Sequence, residues 1–365
     1  MSGWIKTKKK VTDIKVGNME FRKIIKSICI TVTVIALGVV SANAQHHDAC
    51  EIEHEAVHVS EKVLSPAGLM GDHVHHKGSW MFSYMYMGMM MDEILEGSSK
   101  VNHSSLMESY DMIPEQMFMQ MHMIGVMYSV SDKITLMTMI PFLQKSMDHS
   151  MMGHHHANMM SSGLGDVRLT LLTPVIQGNN HRLILNAGLS VPTGSTNMSS
   201  VNMAGDEYKM GYGMQTGSGT PDIMTALTYA GSSGRIGYGA QLSGIIRLGE
   251  NQSGYRQGDM IENSVWIGTN VMKKTSMTIR LLTTWQDKMH GHDEMMPMGA
   301  MPTSDPECYG GLKSRVMTGL AYNLMNLLPV RGSIGAELGV PVYQYLNGPQ
   351  MADQWIITTS LKISI

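Results

Sequence analysis

Apolar and polar residues alternate one by one through most of this chain, a period that belongs to strands rather than helices. The last segment is the clearest. Trp355, Ile357, Thr359, Leu361, Ile363 and Ile365 fall on one side, and Ile356, Thr358, Ser360, Lys362 and Ser364 on the other. Val167, Leu169 and Leu171 oppose Asp166, Arg168 and Thr170, while Leu183, Leu185, Ala187, Leu189 and Val191 oppose Arg182, Asn186 and Ser190. Between Asp72 and Met91 both faces are lined. Trp80, Phe82, Tyr84 and Tyr86 take one, and Met81, Met85, Met87 and Met89 take the other, with Ser83 as the polar break.

Such segments recur near 79–91, 116–130, 133–143, 164–176, 181–191, 221–230, 235–248, 260–272, 276–287, 310–323, 331–344 and 354–365, about twelve strands in all. The links 92–115, 144–163, 192–220, 249–259, 288–309 and 345–353 are long, and those between them are short. Strict alternation of long and short links predicts an all-β protein, a transmembrane antiparallel β-barrel with both termini in the periplasm. In hydrocarbon an open sheet edge has no partner, so the last strand is expected beside the first.

With the apolar face outward, Arg168, Arg182, Arg247, Arg280 and Arg315 are lumen candidates, against Asp166, Asp222 and Glu337. Such an interior favours anionic or neutral solutes, unless the arginines are spent in internal ion pairs. On the second strand Met117, Met119, Met121 and Met123 alternate with Gln116, Gln120 and His122. There the polar residues argue that the methionines face lipid, unless the register slips at Gly125.

Composition changes the picture in one respect. The 365 residues include 39 Met, 38 Gly and 16 His, at a formal net charge of −3. That charge gives no reason to expect a nucleic-acid partner. Thioether suits Cu(I) and imidazole suits Cu(II) or zinc, although methionine is also a flexible apolar filler. His73, His75 and His76 precede the first strand and are expected at the periplasmic rim. Met147, His149, Met151, Met152, His154, His155, His156, Met159 and Met160 form one tract in a predicted outer loop, and His290, His292, Met295, Met296 and Met298 form a second. Exposed methionine is not needed for packing, so these tracts are the copper candidates. No cofactor is required by any motif. No CxxC or HExxH pattern supports zinc chemistry, no Ser/His/Asp constellation stands out, and an enzyme is not expected.

The N-terminus reads as an export signal. Arg22, Lys23 and Lys26 supply the basic region, Ile28–Val40 the apolar region, and Ala42-Asn43-Ala44 the cleavage pattern. Residues 1–44 are then a leader, with Met19 a candidate true start, residues 45–77 a periplasmic His-rich segment, and residues 78–365 the barrel. Retention of the apolar run as an anchor is the alternative, against which its short length argues. Cys29 leaves with the leader, and Cys50 and Cys308 remain to pair or stay free.

Seven stretches in order carry a resemblance over nearly the whole mature chain. They are Gly71–Met81, Met117–Met123, Asp132–Met137, Gly163-Leu164-Gly165-Asp166, Pro192-Thr193-Gly194, Gln215–Thr220 and Gly254–Asp259. Together they resemble the transporter-like outer-membrane proteins grouped under the meta-pathway of phenol degradation. The resemblance implies a barrel in the outer membrane of a Gram-negative bacterium with a solute-transport role, and its Met/His-rich members suggest a link to copper. Terminal Ile365 departs from the aromatic with which such barrels usually end. The partners expected are outer-membrane lipid, the outer-membrane insertion machinery and a small-molecule solute. A small-solute channel with copper-meeting loops is the first expectation. A copper-binding barrel without transport, and an uptake channel for phenols or aromatic acids, are the alternatives.

Overall fold

The computed structural model describes residues 63–151, 155–201, 205–296, 299–324 and 331–365. The leader, most of the His-rich lead, Cys50, Met152, His154 and Met298 lie outside the described residues. The strands are β1 (Trp80–Gly97), β2 (Met112–Ser131), β3 (Ile134–Met151), β4 (His155–Leu164), β5 (Val167–Gln177), β6 (His181–Val191), β7 (Asp222–Ser233), β8 (Ile236–Arg247), β9 (Met260–Met272), β10 (Thr275–Gln286), β11 (Gly311–Asn323) and β12 (Arg331–Ser364).

Successive strands pair antiparallel, and β12 returns to pair with β1 from Met81↔Ser364 to Gly97↔Leu346. The ring closes, so no strand edge is left open to hydrocarbon. It holds eleven elements, and β12 passes twice: Ser333–Leu346 lies along β11 and Leu346–Ser364 along β1. That makes twelve passes of the wall. β4 stands on β5, continuing its line beside the outer half of β3.

The long links are less loop-like than the sequence suggests. β1 runs on to Gly97, and β3 and β4 form a hairpin that carries the first Met/His tract, pairing Met147↔Met159 and Met151↔His155. Positions 345–353 are strand-paired on both sides of a tight reversal, where Gln344 exchanges two hydrogen bonds with the Asp353 backbone at 2.9 and 3.1 Å. The period-two pattern simply continues there in polar and thioether residues, which hydropathy reads as loop.

Large apolar side chains stay exposed on most of the wall, among them Trp80, Phe82, Leu136, Leu189, Ile267, Ile279, Leu338 and Trp355. A belt of this size on a folded chain needs an apolar surround. No described helix is long and apolar enough to cross a membrane, so any crossing is made by the strands. On β1 the aromatics face out, while Met81 and Met85 are buried inside.

On β2 the structure reverses the sequence-based expectation. Met117, Met123 and Met127 are buried inside, and Gln120 and His122 face outward with Ile124. The register with β1 runs without a shift from Trp80↔Tyr128 to Asp92↔Gln116. Tyr84 Oη lies 2.7 Å from His122 Nδ1, and Tyr86 Oη donates to Gln120 Oε1 at 3.1 Å. Cross-strand tyrosines thus satisfy the polar groups on the apolar face, which an alternation rule does not foresee.

The lead segment gives the largest difference. Residues 63–76 are not outside the barrel but within it. Leu64 bonds to β10, Gly68 to β12, Met70 to β8, and Gly71 to β6. Only a segment in the lumen can reach walls on several sides of a ring. The segment occupies the end of the barrel with the short turns, because it leads directly through Gly78 into β1.

Candidate functional site

The plug of residues 63–76 is held by side chains rather than by a sheet ladder. Gly68 N donates to Glu337 Oε2 at 2.6 Å, Gln241 Nε2 to Met70 O at 2.9 Å, and Asn186 Nδ2 to Gly71 O at 3.1 Å. Lys362 Nζ reaches Leu69 O at 3.2 Å, and Arg182 Nε reaches Asp72 O at 2.7 Å. Gly71 has φ +70°, and a Cβ there would stand 2.3 Å from Asn186 Nδ2, so both the backbone and the wall demand glycine.

Asp72 is the charged knot of the plug. Its side chain, 5% exposed, places the carboxylate 2.7 Å from His73 Nδ1, 3.5 Å from Arg182 Nη2 and 3.9 Å from Lys362 Nζ. Burial opposes its charge, but His73, Lys362 and Arg182 outweigh burial and hold the carboxyl well below its ordinary value.

The five lumen arginines all sit on the inner side of the wall, and four face a carboxylate. Arg182 has Asp72; Arg280 meets Glu337 at 2.9 Å; Arg247 pairs with Asp222; Arg315 shares Asp353 with Lys313. These pairs are buried, so most of the positive charge counted from the sequence is neutralised on the spot. Arg168 is the exception: among the described residues no hydrogen bond or ion pair holds it, and Glu262, Asp166 and Asp222 act on it only through their charge. It opens into a polar cavity of about 180 Å³ together with Lys145, Asp166, Asp222 and Arg247, whose Nε is also buried without a partner.

Three of the motifs noted in the sequence meet at that cavity. Asp166 accepts from Gly194 N at 3.0 Å and from Ser218 N and Oγ at 2.8 Å. Gly194 and Gly217 touch backbone to backbone; a Cβ on either would lie 2.6 Å from the other. The long link between β6 and β7 therefore folds back into the barrel and narrows it. The glycines of Pro192-Thr193-Gly194 and Gln215–Thr220 serve that close approach.

Thioethers pave the rest of the lumen in two clusters. Met81, Met85, Met123, Met127, Met137 and Met139 pack against the plug residue Met70, with Met121 alongside. Towards the long loops Met117, Met147, Met159, Met210, Met214, Met301 and Met351 form a second cluster, with Met119 alongside. Met119 and Met121 are successive inward positions of β2, so the two clusters are joined by one stripe. A cavity of about 230 Å³ lies in the second, lined by Met89, Met91, Met117, Met119, Met147 and Met351, and by the buried thiol of Cys308. Burial, with Asp305 nearby, pushes that thiol up to about 12.

The metal candidates fall into different settings. Met147 and Met159 are buried packing residues, and so is Met296 beside Tyr212 and Tyr255. His149 is fully buried with neither ring nitrogen partnered. Met151 is half-buried, and His155 is placed only by its backbone. Met160 and Met295 are 70% and 76% exposed. His156 is exposed, 3.3 Å from Glu115; His290 lies 3.3 Å from Asp287; His292 is exposed. His76 is solvated, 3.5 Å from Asp132. His73 and His75 belong to the plug rather than to a rim. Among the described residues no group of three or more His, Cys, Asp or Glu is placed to hold a metal ion. Among the described residues, a side-chain metal site of three ligands would therefore include thioether.

Asp72, Lys145 and Asp353 are functional-site residues that sequence reasoning passed over. Lys145 Nζ donates to Gly213 O and Gln215 O at 2.8 and 2.6 Å, tying the inward loop to β3. The available signal was a lone charge at an inward position of a strand, or in Asp72 a charge flanked by glycine and histidine.

The closed ring, the belt and the inward link together decide the architecture. This is an outer-membrane β-barrel. A crystal structure of an outer membrane channel from Pseudomonas putida F1 matches 83% of the chain and all of its own length, with TM-score 0.56 at 15% identity. The toluene transporter TodX of Pseudomonas putida matches 82% of this chain and 92% of its own, at 9% identity and a TM-score of 0.35. The toluene transporter TbuX of Ralstonia pickettii is similar at a TM-score of 0.38, 8% identity, and coverage of 80% and 90%. No family model and no curated protein sequence matches the chain. At this identity the likeness concerns the fold, and it agrees with the barrel that the motif resemblance implied.

Proposed function

We propose that this barrel is a plugged channel for small solutes across the outer membrane, linked to copper handling by its thioether interior. The observation that carries the reading is how the lumen is filled. A short segment held by six or so side-chain contacts, with no ladder hydrogen bonds, can leave the barrel without breaking the wall. A purely structural core has no need of an inward loop, of an Arg168 with no ion pair among the described residues, and of two cavities inside the wall. Thioether supports the copper part, because it is the one donor type that the interior offers in quantity.

The test is conductance of the purified barrel in planar bilayers, followed by solute-resolved uptake into liposomes with and without copper. A barrel that never conducts, with the plug intact or removed by truncation to Ser79, rejects the channel.

A second reading, uptake of aromatic acids, is favoured by Arg168 and Arg247. A carboxylate in the polar cavity would meet their free donors while its ring lay towards the neighbouring methionines. Competition between benzoate-type acids and the uncharged phenols in the same liposomes separates this reading from a channel that takes neutral solutes.

A further inference from the structure

His73 stands between a carboxylate and a sulfur. Its Nδ1 is 2.7 Å from Asp72 Oδ1 and its Nε2 is 3.3 Å from Met81 Sδ. With Nδ1–H donated to Asp72, the neutral ring turns the lone pair of Nε2 towards the lone pairs of sulfur. Two donors facing each other call for a cation between them, either the second ring proton or a metal ion. Next to them His75 presents a buried Nε2 without a partner, its ring centroid 4.9 Å from that of His73 and nearly perpendicular to it. Met85, Met123 and Met127 pack in one buried cluster with Met81 and place further thioether on the wall side, while the His73 side chain keeps 28% of its surface exposed.

The geometry points to a site for a soft monovalent cation, Cu(I) or its analogue Ag(I), between His73 Nε2 and Met81 Sδ, with His75 as third ligand. Each part has its chemistry. Thioether selects Cu(I) over Zn(II) and over the hard cations. A carboxylate on the far nitrogen of a ligating imidazole fixes its tautomer and raises its basicity, which is the position Asp72 holds. At the lengths zinc takes to imidazole nitrogen and thiolate sulfur, roughly 2.0 and 2.3 Å, a metal ion would span the observed 3.3 Å separation at an angle of about 100°. A metal can therefore enter with little movement of either side chain.

Placement gives the site a consequence. His73 and His75 lie on the plug and Met81 on β1, so a bound ion would cross-link the plug to the wall. The inference deepens the copper part of the function above by naming where the ion binds, and it predicts that the ion keeps the channel shut. The thioether stripe from Met121 to Met119 then leads from this site to the outer cluster.

The experiment uses the full mature barrel in detergent, titrated with Ag(I) and with Cu(I) kept reduced, with X-ray absorption at the copper edge for the ligand set. The variants are Met81→Leu, which keeps the packing, and His73→Gln and His75→Gln. The expected result is one tight site with mixed nitrogen and sulfur ligation, weakened at least about tenfold by Met81→Leu and by His73→Gln. Asp72→Asn is expected to weaken it about 10–100-fold, the usual effect of removing an outer-shell partner. Unchanged affinity in both Met81→Leu and His73→Gln would overturn the site, as would sulfur-free ligation in the wild type. Plain protonation of His73 is the remaining outcome against it, seen as an imidazolium unaltered by Ag(I) in nitrogen NMR. Conductance of the same metal-free preparation is recorded separately, so a failed site and a failed channel give different results.

Discussion

Asp72→Asn is the sharpest test of the plug. The substitution is isosteric and leaves Arg182 Nε on the backbone oxygen of residue 72 at 2.7 Å and Lys362 on Leu69 O at 3.2 Å. It removes the charge that faces His73, Arg182 and Lys362 at 2.7, 3.5 and 3.9 Å. Stripping one member from a buried ion network costs about 3–5 kcal/mol. The longer two contacts, and the 28%, 19% and 13% exposure of the partners, place this case at the lower end. About 3 kcal/mol is roughly two decades in population, so plug release should rise about a hundredfold. The assay is opening frequency in planar bilayers, together with protease cleavage within residues 63–76. Asp353→Asn is the control, since it breaks a similarly buried pair with Lys313 and Arg315 that never touches the plug. The reasoning fails if Asp72→Asn opens no more often than wild type, or if both variants open equally, which would mean that the wall has loosened instead.

Three more outcomes follow from the same structure. Gly71→Ala should destabilise plug seating by about 1–3 kcal/mol through its positive φ and the 2.3 Å approach to Asn186, read as faster proteolysis of the plug with an unaltered barrel melting point. Cys308, whose thiol is pushed from 9.0 up to about 12 by burial, contributes stability that is complete below pH 9 and lost as pH rises towards about 12. In a Cys50→Ser background it should resist alkylation at neutral pH until the barrel is unfolded, and rapid labelling of the native protein would contradict its burial. Tyr84→Phe should cost about 1 kcal/mol by leaving His122 without its 2.7 Å partner on the lipid-facing side. Heat-modifiable migration on a denaturing gel, at rising temperature, measures that loss.

The residues that alternate in the plainest way decided the fold from the sequence. Side-chain direction in a strand is local, set by the backbone with a period of two, so Trp355–Ile365, His181–Val191 and the aromatics of β1 show their faces without any neighbour being known. The connection lengths carried the topology, since two of the strand ranges, 181–191 and 260–272, coincide with the elements observed. The five arginines could be placed on the inner face for the same reason.

What only the tertiary structure decided are the matters that depend on a partner far along the chain. Gln120 and His122 face lipid because Tyr84 and Tyr86, 34 to 38 residues away, satisfy them. Arg182, Arg280 and Arg315 are spent in pairs whose acids lie 38 to 110 residues distant, and nothing local announces which arginine remains free. The plug was invisible because Pro66–Asp72, Pro-Ala-Gly-Leu-Met-Gly-Asp, is short and glycine-rich and shows no period. Its position is fixed by hydrogen bonds to walls that exist only once the ring has closed. Local pattern built the barrel, and closure decided what fills it.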